Sequence, residues 1–202
     1  MLNVVLSLAL LLLAVVLHEV SHGWVALRLG DTTAKAAGRL TLNPLAHLDL
    51  MGTVIVPGLL ILAHLPPVGW AKPVPVNFGA LRQPKRDMVL VGMAGPLANI
   101  LLAVLFAALF HLSVGLHFKT GILIGYLGLW INLLLAVFNL MPIPPLDGSR
   151  FVLGLLPPKW GLRYLKLEPF GFLILLALIY AGLLEKTVLP IVGRLAGLLG
   201  AA

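Results

Sequence analysis

The 202-residue chain contains no cysteine, which excludes disulfides and thiolate metal ligands. A zinc ion here would have to be held by histidine and carboxylate. Charge is scarce too: 10% of residues are charged, against roughly 25% in a soluble domain. With 60% hydrophobic residues, the composition excludes an ordinary soluble domain and marks an integral membrane protein. Acidic residues are scarcest, seven against fourteen Lys and Arg. The resulting +7 charge is not a nucleic-acid signal, because the basic residues lie in loops between apolar runs. There they act as topology signals and can contact anionic lipid head groups. No internal repeat is present. The length allows one bundle of spans, a single membrane domain over 1–202, with a core of about 1–156 and C-terminal helices over 157–202.

Met1 to Leu17 carries no charge at all, and at its end stands His18-Glu19-Val20-Ser21-His22. The run has neither the basic start nor the cleavage pattern of a signal peptide and is expected to remain as the first span, about Leu2 to Leu27. On a helix, residues four apart share a face, so His18 and His22 can hold one Zn²⁺. Glu19 beside them is a candidate general base for an attacking water. A single H-E-x-x-H can arise by chance, and a lone His or Glu near a helix end can snorkel to water. Against this, a charge at mid-membrane costs at least ~2.5–3.5 kcal/mol. Three polar groups in one such turn therefore need a reason, and a metal supplies one.

Further along, Arg39–Leu42 alternates polar and apolar and reads as a strand. Met51–Leu65 is apolar but broken by Gly52, Pro57 and Gly58, and reads as a re-entrant segment. Trp70–Asn77 reads as an edge strand, since Pro73 and Pro75 deprive one edge of donors. Its other edge, at Val74 and Val76, could pair with Arg39–Leu42 in a small hairpin and with a substrate. Met88–Leu112, Gly121–Met141 and Phe170–Leu184 read as spans; Val188–Leu199 is marginal. The expected architecture is an all-α polytopic bundle of about four to six transmembrane helices, with a β-hairpin and re-entrant insertion between the first two full spans.

Re-entry matters because it decides which residues can meet. If Met51–Leu65 dips in and returns, the ends of the first span and of Gly121–Met141 share a face. Eleven basic residues (Arg28, Lys35, Arg39, Lys72, Arg82, Lys85, Arg86, Arg150, Lys159, Arg163, Lys166) then lie on that face, against Lys119 and Lys186 opposite. The positive-inside rule makes it the cytoplasmic face. Asp147, which follows Pro142, Pro144 and Pro145, then becomes the candidate third ligand, with capping of the next helix as its plain alternative.

His18–His22, Gly95-Pro96-Leu97-Ala98-Asn99 and Asn139–Gly148 together resemble the signature of the site-2 proteases, intramembrane zinc metalloproteases. Asn43-Pro44-Leu45-Ala46-His47 and Ala71–Asn77 are similar to their compact bacterial and archaeal branch, which implies a prokaryotic cell membrane. The resemblance covers roughly residues 1–150. It implies one zinc per chain on His18, His22 and Asp147, Glu19 as base, and Asn139 helping to stabilise the substrate carbonyl or to position the substrate. No PDZ or CBS domain is expected. The implied reaction is cleavage of transmembrane segments of other proteins, and no nucleic acid partner is expected. The rival reading is a metal transporter or channel using the same ligands as a transit site. Nothing in the sequence sets an oligomeric state. His47 could approach the metal or be structural, and Asn99 could glue helices or bind substrate. His64, His111 and His117 carry no assignment, and the tryptophans read as interface anchors or packing.

Overall fold

The computed structural model describes residues 2–64 and 69–201. Helix α1 (Leu2–Arg28) is a proline-free run of Leu, Val and Ala, good helix formers in lipid. The short α2 (Thr33–Ala36) follows it. Asn43 then opens a single turn, Pro44–His47, by accepting the Leu45 N–H on its side chain. Leu50–Ile55 runs loosely wound into α3 (Val56–Leu62). The long α4 (Pro84–Gly115) and α5 (Lys119–Asn139) form an antiparallel hairpin. A Cβ on Gly125 or Gly128 would run into Phe110 or Phe106, so these glycines allow the two helices to approach closely. After a proline-rich turn come α6 (Gly148–Leu155), α7 (Pro158–Leu165), α8 (Gly171–Tyr180) and α9 (Leu189–Leu198).

Among the described residues, three helices, α1, α4 and α5, are long and apolar enough to cross a membrane. The stretches Pro158–Tyr180 and Leu184–Leu198 are bent by 70° and make a fourth if they count as one broken span. Against the expected four to six spans, the described residues thus give three, or four with the bent pair. Large apolar side chains face outward along α1 and α4, among them Val4, Leu8, Leu101 and Leu105, as lipid contact requires. The chain is a membrane protein. Its main core lies between α4, α5 and α9, around Ala103, Leu129, Leu133 and Val192.

The expected β-hairpin does not form: no strand occurs among the described residues. Trp70–Asn77 forms neither helix nor strand, and its donors go elsewhere. The N–H groups of Trp70 and Lys72 reach the carbonyls of Gly52 and His47, at 3.1 and 2.9 Å. That of Val74 reaches the Glu19 carboxylate, and that of Asn77 reaches Asp31. Side chains and turn carbonyls replace the ladder, so Arg39–Leu42 gains no strand partner; only the Arg39 guanidinium bonds back, to the Lys72 carbonyl. The apolar helix Leu50–Leu62 is 13 residues, ~20 Å, and too short for a ~30 Å core. Gly52 and Trp70 are bonded to each other, so the chain returns to where it left, as re-entry demands. Leu65, the last residue of the expected re-entrant segment, lies outside the described residues.

Candidate metal centre

Helix α1 carries His18 and His22 on one face, and the turn before α6 brings Asp147 against them. His18 Nε2 and His22 Nε2 are 3.1 Å apart. Asp147 Oδ2 lies 3.0 Å from the first and 3.2 Å from the second. A tetrahedral zinc with bonds of ~2.0 Å has ligand–ligand edges of about 3.3 Å. The three atoms therefore form one face of such a tetrahedron, and the fourth corner remains for water or substrate.

The surroundings fix what these atoms carry. His22 Nδ1 donates to the Val91 carbonyl at 2.7 Å, and His18 Nδ1 donates to Asn99 Oδ1 at 2.6 Å. With Nδ1 protonated, each neutral imidazole turns a lone pair inward from Nε2. Asp147 Oδ2 is buried with no hydrogen-bond donor. Three lone pairs thus converge at about 3 Å in a site where both histidines are under 9% exposed. Such an arrangement is repulsive unless a cation sits among them. The residues present fit zinc. Although Asp147 precedes α6, its carboxylate caps none of that helix's N–H groups, so the capping alternative fails.

Asn99 and Asn132 are fully buried. The Asn99 amide donates to Asn132 Oδ1 at 2.9 Å, and Asn132 donates to the Gly128 carbonyl at 2.8 Å. Each amide is thereby oriented, and Asn99 is left presenting its oxygen to His18. Gly95 completes the fit: a Cβ there would sit 2.5 Å from His18 Nε2 and collide with His22. Glycine lets α4 close over the ligands.

Two relatives bear on this geometry. "Putative zinc metalloprotease YwhC" of Bacillus subtilis is 40% identical over 179 residues, 83% of this chain and 77% of that protein. Rip2 of Mycolicibacterium smegmatis, under the same description, is 33% identical over 186 residues, 90% of this chain and 69% of that protein. The chain belongs to this zinc metalloprotease family. Zinc metalloprotease MJ0392 of Methanocaldococcus jannaschii is 29% identical over 161 residues, 35% of its own length. No family model matches the chain, and no solved structure matches it significantly.

As in any zinc protease, the metal needs a base beside it and room for a substrate. His18 and Glu19 line a cavity of about 480 Å³, together with Trp70, Asn139, Phe172 and Leu175. The Glu19 carboxylate accepts the Val74 N–H at 2.8 Å, which holds it in place. Asn139 reaches the same cavity, and its amide donates to the Leu135 carbonyl at 3.0 Å. The expected open edge at Val74 is closed in this structure. Val74 is buried, and its donor is spent on Glu19.

His47 is not part of the metal cluster. It is 1% exposed, its Nε2 donates to the Thr41 carbonyl at 2.9 Å, and its Nδ1 is buried without a partner among the described residues. Asn99 is fully buried, where its oxygen accepts from His18 Nδ1 and its amide donates to Asn132. Asn132 escaped the sequence reading, although an amide inside an apolar span is itself a signal. Asp31 escaped it too. This carboxylate, 1% exposed, accepts Thr33 N, Thr33 Oγ1 and Asn77 N. Burial works against its ionisation, but these donors outweigh that and hold its pKa below the ordinary carboxyl value.

Proposed function

We propose that the protein is a zinc endopeptidase that cuts transmembrane segments of other membrane proteins, with its site towards the cytoplasmic face. The observation that carries this reading is the three-ligand face of His18, His22 and Asp147, with Glu19 in the same cavity but outside the ligand set. Zinc held there would act as a Lewis acid on the scissile carbonyl and would acidify a water. Glu19 takes the proton of the attacking water and returns it to the leaving amine. Asn139, at the cavity wall, offers a contact to the carbonyl oxygen once its bond to Leu135 opens. The eleven basic residues on the loop side support the cytoplasmic orientation.

A transit site for metal would use Glu19 as a further ligand. Instead its carboxylate is tied to Val74. Glu19→Gln should abolish cleavage of a membrane-embedded peptide while zinc content stays at the wild-type level. Loss of zinc together with activity would favour the transit reading.

The unwound substrate adds as a strand to Trp70–Asn77. In extended backbone, N–H groups alternate between edges. Trp70, Lys72 and Val74 spend theirs on the protein, and Pro73 and Pro75 have none. Ala71 lies on the opposite edge and lines the active-site cavity. Its N–H finds no protein acceptor among the described residues. Pairing therefore falls at Ala71 rather than at Val74, whose donor is spent, or at Val76, which packs against the Ala26, Leu81 and Val91 cluster and not in the cavity wall. Ala71→Pro should reduce cleavage sharply and Val76→Pro only slightly, with zinc retained in both. The reverse order would overturn this register.

A further inference from the structure

A second concave site lies away from the zinc ligands, between the start of α4 and the end of α6. It is a groove of about 400 Å³. Val89, Phe151, Gly154 and Leu155 form its apolar wall, and Lys85 and Arg86 stand at its mouth. Neither cation is paired with a carboxylate among the described residues; Arg86 reaches only the Gln83 amide oxygen, at 3.5 Å. The nearby acids are committed elsewhere. Asp87 is buried and accepts the Gln83 N–H, and Glu168 is held by Arg150 at 2.7 Å.

The order of chemistry along the helix is that of an amphiphile. At 32 residues, α4 is ~48 Å long and exceeds a ~30 Å hydrocarbon core, so its first turn reaches the head-group layer. Cations there meet phosphate, and one turn deeper Val89 meets an acyl chain. We propose that this groove binds one anionic phospholipid, its phosphate on Lys85 and Arg86 and an acyl chain along α6. Since α6 begins directly after Asp147, the bound lipid buttresses the element that carries the third zinc ligand.

The test is native mass spectrometry of the detergent-purified full chain, offered phosphatidylglycerol or phosphatidylcholine with identical acyl chains. Two cations at the surface correspond to about a ten- to thirty-fold preference for the anionic lipid. Lys85→Gln with Arg86→Gln should abolish that preference. Lys159→Gln with Lys166→Gln, which removes equal charge on and just after α7, should preserve it. Inorganic phosphate at millimolar concentration should not displace the lipid. Equal retention of both lipids, an unchanged preference in the first double variant, or displacement by phosphate would each overturn the proposal.

Discussion

His18 shows how much of a metal centre lies outside its ligands. Interhelical hydrogen bonds in membranes contribute only about 0.6 kcal/mol on average. The Asn99–Asn132–Gly128 chain therefore does little for the fold. Its effect is directional, since it leaves one acceptor for His18 Nδ1 and so points Nε2 at the metal. Asn99→Ala should leave a folded protein whose zinc affinity falls about 10- to 100-fold. Competition with a zinc-binding dye measures this, and an unchanged affinity would show that the tautomer is set otherwise. At this scale the sequence was highly legible. The spacing of His18 and His22 is a helix face, and Asp147 was found because acids are few. Asn132 was not found, and Gly95 was noted only as part of a motif, because their roles exist only once α4 and α5 pack against α1.

Among the elements, the 70–77 segment departs most from expectation. Its prolines correctly implied one donor-poor edge. Strand partners are non-local, however, and nothing in a single sequence distinguishes a neighbouring strand from a carboxylate as acceptor. Here Glu19 and Asp31 take that part at two points along the segment. Asp31 makes the arrangement sensitive to acid. Its folded pKa is depressed, so its contribution is present above the unfolded value of ~3.9 and is lost as pH falls through the lower folded value. Asp31→Asn should therefore melt several degrees below wild type at pH 7, and the gap should close as pH falls below ~3.9. Thermal unfolding in detergent at pH 7 and at pH 3 checks this; a gap that persists unchanged at pH 3 would mean that the carboxylate's charge is not what matters. His64 and His117 end α3 and α4 in the left-handed region, at φ 56° in both, as residues just past a helix do.

The whole molecule is a membrane bundle whose chemistry is assembled from distant parts. Residues 18, 22, 99, 132 and 147 meet because α1, α4 and α5 pack together, and the chain after α3 comes back to Gly52 at Trp70. Hydropathy revealed the long spans, because lipid demands length and apolarity of each. The final bend between α8 and α9 carries no such signature, and the number of crossings there depends on packing rather than on composition. Two motifs more than a hundred residues apart are expected to bind one metal. Zinc content per chain tests it most directly, in detergent-purified wild type, His22→Ala and Asp147→Ala. We expect close to one zinc in the wild type and a large loss in both variants. No zinc in the wild type, or full retention in Asp147→Ala, would contradict the three-ligand site and the chemistry built on it.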